Sequence, residues 1–277
     1  SGDFLTFDNS VSVGDFDGDG QHDLAIGGTY VLSNATGGIN LINGSGYDWS
    51  GSTQWDATAS SEAYAYVYGN GEFNYFGAMP PMQYDVNGDG ITDLAATGTD
   101  QWWDEGYADV AGSIYFDAAN LSGDEYQGDN ADIIFYETMG GWGNARINTS
   151  LDINGDGYNE VIFSDYLEGN SSNGWQGLNY TSTCNSCGES AVYLFEGSDI
   201  AGGGEYILED DFSARIYADS NWDYMGISIS GADLNGDGAD ELLIASPGDD
   251  EDETNAGCVF IIEGDTRMLL SSEPFAF

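Results

Sequence analysis

The chain is short of positive charge. Its 277 residues include no lysine, three arginines and one histidine against 49 Asp and Glu, which gives a formal net charge of −46. Without lysine, Schiff-base chemistry and the lysine-dependent phosphate loop are excluded. Nucleic acid is excluded as a partner, because binding to phosphates requires Lys and Arg to displace counterions. The one histidine, His22, lies in a polar loop, so we expect no Ser-His-Asp or Cys-His catalytic arrangement.

Cysteine and long apolar runs are also scarce. The pair Cys184 and Cys187 has no second CxxC or His pair beside it, so a zinc site is not expected, and a local disulfide is the alternative in an exported protein. No apolar run approaches the roughly 18 residues of a membrane span, so we expect no membrane insertion. The first residues have no basic and apolar leader, and we therefore expect a mature chain without its signal peptide.

A ten-residue motif occurs four times in the chain. The copies begin at Asp15, Asp85, Asp152 and Asp233 and read DFDGDGQHDL, DVNGDGITDL, DINGDGYNEV and DLNGDGADEL. Each has side-chain oxygens at positions 1, 3 and 5, glycines at 4 and 6, and a carboxylate at 9. A hard cation such as Ca²⁺ takes about six to eight oxygen ligands, and the glycines permit the tight turn that brings the carbonyl of position 7 to the ion.

The motif predicts about four structural Ca²⁺ sites, with ligands at positions 1, 3, 5, 7 and 9. In chain order the predicted metal ligands are Asp15, Asp17, Asp19, Gln21, Asp23, Asp85, Asn87, Asp89, Ile91, Asp93, Asp152, Asn154, Asp156, Tyr158, Glu160, Asp233, Asn235, Asp237, Ala239 and Glu241. An EF-hand needs a bidentate Glu at position 12 and a following helix. Here position 12 is apolar and ends a short apolar run in every copy, so we expect the loops to lie between buried strands.

The motif recurs at spacings of 70, 67 and 81 residues, and each period predicts the same four strands. One strand leads into the loop, a second leaves it, and a third begins near a small residue, as at 38–42 and 191–195. A weaker fourth strand precedes the next loop, as at 214–217. Four strands per period are typical of a propeller blade. The fourth period also has Met225-Gly226 before its loop, Ser246-Pro247 after it, and then Gly257. Through these residues the chain resembles the FG-GAP repeat of integrin α-subunit β-propellers.

The resemblance implies an all-β fold, a β-propeller of four-stranded blades with Ca²⁺ in the loop between the first and second strands. We expect one propeller domain over 1–277, with repeats at about 8–62, 63–131, 132–212 and 213–277. Integrin-type propellers close with seven blades, so these four either close alone or form part of a larger ring or array. Residues 3–7 are one candidate to complete the last blade, and residues 267–270 are the other.

Two further sets of residues suggest sugars. Tryptophans among Asp, Gln and Gly suit stacking on pyranose rings, and wedging between sheets is the alternative; the candidates are Trp102, Trp103 and Trp175. The Asn-x-Ser/Thr sequons make candidate glycosylation sites at Asn34, Asn43, Asn120, Asn148, Asn170 and Asn179.

We therefore expect a secreted or cell-surface calcium-binding protein, with no enzyme activity, that acts in adhesion or assembly. Its expected partners are other surface proteins, glycans or further copies of itself. Two alternatives stay open. One is a carbohydrate-binding or polysaccharide-active propeller, for which the many carboxylates leave a catalytic pair open. The other is a subunit of a surface coat or extracellular filament.

Overall fold

The structure, a computed structural model, describes residues 11–28, 37–45, 63–69, 82–98, 109–126, 128–137, 146–165, 190–217, 224–249, 256–264 and 275–276. Within these ranges helix is confined to a 3₁₀ turn, η1 (Ala118–Asn120), and a four-residue helix, α1 (Gly197–Ile200). The chain divides into two compact units. Unit 1 comprises residues 1–102, 110–135 and 203–205, and unit 2 comprises 103–109, 136–202 and 206–277.

Sheets 1 and 2 are built mainly from unit 1. Sheet 1 contains, in spatial order, β1 (Val11–Gly14), β2 (Asp23–Gly28), β3 (Gly38–Ile42), β4 (Ala65–Tyr68) and β8 (Gly123–Tyr126). Sheet 2 contains β5 (Met82–Tyr84), β6 (Asp93–Thr97), β7 (Asp109–Tyr115), β9 (Ile133–Glu137) and β13 (Gly204–Ile207). The strands β1 to β4 are antiparallel neighbours in chain order, as are β5 to β7.

Sheets 3 and 4 belong to unit 2. Sheet 3 contains β10 (Arg146–Leu151), β11 (Glu160–Asp165), β12 (Ala191–Phe195), β14 (Ala214–Tyr217) and β18 (Phe275–Ala276). In sheet 4 the described strands are β15 (Ser228–Ala232), β16 (Glu241–Ser246) and β17 (Cys258–Ile262). The predicted all-β fold with sheets of the propeller-blade type is confirmed. Both segments considered for completing the last blade, 3–7 and 267–270, lie outside the described residues.

Three sheets have a fifth strand that the sequence analysis did not predict. Strand β8 follows the third strand of the second repeat and pairs in parallel with β4 of sheet 1. Strand β18 likewise follows the third strand of the fourth repeat and pairs in parallel with β14 of sheet 3. Strand β13 comes from the third repeat and lies beside β9 of sheet 2. Each repeat after the first therefore contributes an edge strand to the sheet before it.

Neighbouring sheets within a unit pack through opposite faces. The residue at motif position 11 faces the next sheet: Ala25 of sheet 1 and Ile162 of sheet 3 belong to the two main apolar clusters. The residue at position 10 faces the preceding sheet, and Leu94 of sheet 2 and Leu242 of sheet 4 lie in the same two clusters. All four side chains are fully buried. Because side chains alternate along a strand, one face of the earlier sheet in each unit contacts the opposite kind of face of the later sheet.

Candidate metal sites

Each motif lies in the loop between the first two strands of its sheet. The loops join β1 to β2, β5 to β6, β10 to β11 and β15 to β16. Position 9 is the first residue of the second strand in every copy, and it is occupied by Asp23, Asp93, Glu160 and Glu241. The predicted placement of the loops between strands is therefore confirmed.

The same hydrogen bonds shape all four loops. The N–H of position 6 donates to the carboxylate of position 1 at 2.9 to 3.0 Å. The N–H of position 5 donates to the side-chain oxygen of position 3 at 2.8 to 3.1 Å, and the N–H of position 7 donates to position 5 at 2.8 to 3.0 Å. Glycines at positions 4 and 6 have φ between 69° and 95°, a backbone that a side chain would strain.

These bonds gather the side-chain oxygens of each loop. In the first loop Asp15, Asp17 and Asp19 each place one carboxylate oxygen within 4.8 Å of the other two. The other loops have an amide at position 3, so they hold one carboxylate fewer. In the fourth loop the amide Nδ2 of Asn235 donates to the carboxylates of Asp237 and Glu241, each at 3.0 Å. In this loop position 3 thus bridges the acids at positions 5 and 9.

The carboxylate at position 9 closes the loop from the strand side. One of its oxygens accepts the N–H of position 2 at 2.7 to 3.0 Å in all four copies. In the first loop the second oxygen of Asp23 accepts the N–H of Gly44 at 2.9 Å. In the second loop the Oδ1 of Asp93 is buried and has no hydrogen-bond partner. Position 9 therefore anchors the loop with one oxygen, and its carboxyl group is buried beside the other acids.

The electrostatics of the loops favour a cation. Burial, followed by the charges of Asp85 and Asp89, raises the pKa of Asp93 to about 8. Burial also raises the pKa of Glu160 to about 8, and it raises the pKa of Asp17, beside further carboxylates. A buried carboxylate among like charges is costly unless a positive charge compensates it.

The residues present fit a hard divalent ion. The atoms predicted to bind the ion are all oxygens, and buried oxygens of Asp15 and Asp93 lack hydrogen-bond partners. Calcium is bound in proteins by such sets of carboxylate, amide and carbonyl oxygens. The individual ligands, including the carbonyls of position 7, remain predictions.

A residue directly after the third strand also reaches the loop, and the sequence analysis missed it. The Nδ2 of Asn43 donates to the carboxylate of Asp17, and in the third repeat the Nδ2 of Asn154 donates to Glu196 at 3.4 Å. A glycine follows in each case, Gly44 and Gly197. A Cβ on either glycine would collide with the backbone carbonyl of motif position 8. The signal was visible as Asn-Gly or Glu-Gly after the third strand in three repeats.

The predicted sugar contacts are mostly untested by the structure. The side chains of Trp102, Trp103, Trp175, Asn34, Asn148, Asn170 and Asn179 lie outside the described residues. Two sequons are described: besides the contact of Asn43 with Asp17, the Nδ2 of Asn120 donates to Asp117 at 3.0 Å. Whether any sequon bears a glycan stays a prediction. No helix in the described part of the chain is long and apolar enough to span a membrane.

Comparisons with known proteins agree with this geometry at two places. The model of the FG-GAP repeat matches residues 7–38 and 225–262, which contain the first and fourth loops. The fourth repeat is the one with the fullest set of flanking residues, whereas the first matches without them. No curated protein matches the chain.

A solved structure of the rhamnogalacturonan lyase YesW is similar over 88% of this chain and 41% of the lyase chain, at 13% identity and a TM-score of 0.46. The chain therefore spans less than half the length of that lyase. A likeness of this degree carries no information about activity.

Proposed function

We propose that this chain with FG-GAP repeats is a secreted or cell-surface binding module that holds four Ca²⁺ ions in its four loops and acts in adhesion or assembly. FG-GAP repeats are typical of extracellular proteins with propeller-like domains. Outside cells, Ca²⁺ is abundant enough to fill loops of modest affinity.

The observation that carries the proposal is the shared geometry of the four loops. In every copy the side chains of positions 1, 3 and 5 accept hydrogen bonds from the backbone N–H groups of positions 6, 5 and 7, respectively. Their remaining oxygens and the second oxygen of position 9 would hold the ion. A bound Ca²⁺ supplies two positive charges that offset the mutual repulsion of three or four carboxylates. Each loop would then fix the angle between the first two strands of its sheet.

The site chemistry supports a structural role for these ions. The predicted ligand set of each loop consists of side-chain and backbone oxygens of the protein, as in sites that stabilise a fold. Together with the lack of lysine and the single histidine, this favours binding over catalysis.

A calcium titration followed by a binding assay tests the proposal. Calorimetry should show about four bound Ca²⁺ per chain, and the protein should retain surface proteins or surface fractions of its source cell in Ca²⁺ and release them in EDTA. The variant Asp152→Ala, which removes position 1 of the third loop, should bind one Ca²⁺ fewer than the parent chain and lose retention. Glu205→Ala is the matched control, because Glu205 is exposed on β13 outside the loops.

The outcomes separate the candidate functions. Retention that is equal in Ca²⁺ and EDTA would contradict a calcium-dependent binding module. Retention of purified acidic polysaccharide alone, or release of reducing ends from it, would replace adhesion by the carbohydrate-directed alternative.

A further inference from the structure

The four loops differ in charge at motif position 3, a predicted ligand. This position is an aspartate in the first loop and an asparagine in the other three, namely Asp17, Asn87, Asn154 and Asn235. In every copy one side-chain oxygen of position 3 accepts the N–H of position 5. That hydrogen bond fixes one end of the carboxylate or amide group. The partner of its other terminal atom therefore completes the orientation of this ligand.

The strand register places one residue of the third strand's end beside each loop. In all four sheets motif position 10 pairs with the last residue of the third strand. The residue after that strand therefore lies level with position 9, at the end of the loop. We call it the flanking residue. In chain order the flanking residues are Asn43, Phe116, Glu196 and Glu263.

In the first and third loops position 3 and the flanking residue form a hydrogen-bonded pair. The Nδ2 of Asn43 donates to the Oδ2 of Asp17. The Nδ2 of Asn154 donates to the Oε1 of Glu196 at 3.4 Å. The amide and the carboxylate have exchanged places between the two loops. Each pair therefore contributes the same charge and the same kind of hydrogen bond.

The pair in the third loop orients the amide of Asn154. An amide nitrogen carries two N–H donors and accepts no cation, so it must face away from a bound ion. The Oδ1 of Asn154 accepts the N–H of Asp156 at 2.9 Å, and its Nδ2 turns to Glu196 outside the loop. Asn154 is 5% exposed, so water has little access to replace Glu196 as the acceptor.

The second loop shows the amide beside a flanking residue without an acceptor. Phe116 has no polar side-chain atom, and the Nδ2 of Asn87 donates to the carboxylate of Asp89 at 3.0 Å. Asp89 is itself a predicted ligand, so this bond engages an oxygen that the ion would need. An acceptor outside the loop, such as Glu196, frees the corresponding oxygen of the third loop.

The flanking carboxylate also acts through its charge. Burial and the charges of Asp199 and Asp156 raise the pKa of Glu196, so its carboxylate lies near position 5 of the third loop. A negative charge at such a place attracts a cation in the loop. Together with the flanking residue, positions 1, 3, 5 and 9 hold four carboxylates in the first loop and four in the third, but three in the second.

We propose that Glu196 is a positioning residue of the third loop, which holds the amide of Asn154 away from the Ca²⁺ ligands and supplies the charge that Asp17 supplies in the first loop. The inference rests on the proposed function, because it concerns the affinity of one of the four proposed sites. It does not extend to the fourth loop, where the Nδ2 of Asn235 donates within the loop although Glu263 flanks it.

A calcium titration against a competing chelator tests the role of Glu196. The third site is the one that disappears in Asp152→Ala. In Glu196→Ala, which loses both acceptor and charge, this site should bind Ca²⁺ about tenfold more weakly or worse. Glu196→Gln keeps an acceptor and should show a smaller loss. Ser198→Ala is the control, because the Ser198 hydroxyl also donates to the Oε1 of Glu196 at 3.4 Å but does not contact Asn154; its third site should keep the parental affinity.

A double-mutant cycle in EDTA tests the pair without any ion. Asn154→Asp sets a second carboxylate against Glu196, and like charges repel, so the urea midpoint should fall. The double variant Asn154→Asp with Glu196→Asn has the residues of the first loop. Its midpoint should recover toward that of the parent chain, and so should the Ca²⁺ affinity of its third site. Asn154→Asp in a Ser198→Ala chain should cost as much as in the parent chain.

The results distinguish this inference from the proposed function. Parental Ca²⁺ affinity at the third site of Glu196→Ala would overturn the inference and leave the proposed function intact. Strictly additive effects of Asn154→Asp and Glu196→Asn on the urea midpoint would also overturn it, because residues that form a pair are coupled. A parent chain that binds no Ca²⁺ would overturn the proposed function itself.

Discussion

The N–H of Asp240 donates to the carbonyl oxygen of Asp152 at 2.8 Å, and the carboxylate of Asp240 accepts the N–H of Asp152 at 3.1 Å. Asp152 is position 1 of the third loop and Asp240 is position 8 of the fourth. In unit 1 the N–H of Thr92 donates in the same way to the carbonyl of Asp15 at 3.3 Å. In each unit the residue that begins the predicted ligand set of one loop is therefore bonded to position 8 of the next loop.

Removal of Ca²⁺ should lower the melting temperature sharply. A site at about 100 times its dissociation constant contributes about 2.7 kcal/mol, and for a chain of this size 1 kcal/mol corresponds to about 2–4 °C. With several loops filled, we expect scanning calorimetry to show a fall of more than about 10 °C in EDTA. Adding Mg²⁺ in place of Ca²⁺ is the control, since Mg²⁺ demands a smaller, near-octahedral site. Identical melts in Ca²⁺ and EDTA would contradict structural calcium.

Substitutions of Glu160 should separate its two roles, as the acceptor for the N–H of Ile153 and as a predicted Ca²⁺ ligand. Glu160→Gln keeps an oxygen for the N–H of Ile153, 2.7 Å away, but removes a buried carboxyl group whose pKa is raised to about 8. In EDTA this variant should be as stable as the parent or more so, while its third loop should bind Ca²⁺ about 10–100-fold more weakly. Glu160→Ala should lose stability in both conditions, because the N–H of Ile153 is left buried without an acceptor. Chemical denaturation and calcium titration of both variants measure the difference.

The glycine after the third strand should be irreplaceable. In Gly197→Ala the new Cβ would overlap the carbonyl of Asn159, and we expect a loss of about 1–3 kcal/mol in the free energy of unfolding. Gly202→Ala is the matched control five residues later, because a Cβ there has no heavy atom within 4 Å. Urea unfolding of the two variants should differ clearly, and equal midpoints would refute the steric explanation.

Position 2 should be costly to truncate in one loop and neutral in another. Ile153 is fully buried between sheets 3 and 4, so Ile153→Ala should cost about 2–5 kcal/mol. Leu234, at the same position in the fourth loop, is 62% exposed, so Leu234→Ala should change the unfolding free energy of the monomer by less than about 0.5 kcal/mol. Dilute samples keep association out of the measurement. A large loss from Leu234→Ala in the monomer would mean that this side chain is covered.

The sequence predicted best where a pattern has one physical solution. The motif requires left-handed glycines at fixed places, and the strands around it are short apolar runs. Strands β3 and β12 begin and end where the sequence analysis placed them, at 38–42 and 191–195. Residues 214–217 also form the predicted fourth strand.

The rest depended on contacts distant in sequence. Strand β8 reads Gly-Asp-Glu-Tyr, without an apolar face, and it is a strand because β4 offers it an open edge. The contact of Asn43 with Asp17 spans 26 residues, and the Asn-Gly pair after the third strand does not by itself show which loop residue it contacts. The pairing between the faces of successive sheets likewise appears only once the register is known.

The edge strands β8, β13 and β18, which come from the repeat after the sheet they complete, limit where this chain can be truncated. A fragment ending at residue 69 would leave β4 with a bare edge, because β8 is encoded some fifty residues later. Bare edges recruit strands from other molecules and promote aggregation. The repeats therefore overlap in sequence. A truncated chain keeps its last sheet complete only if it includes the edge strand that the following repeat contributes. Gain or loss of whole segments preserves the arrangement, because each added segment covers the edge of the one before it.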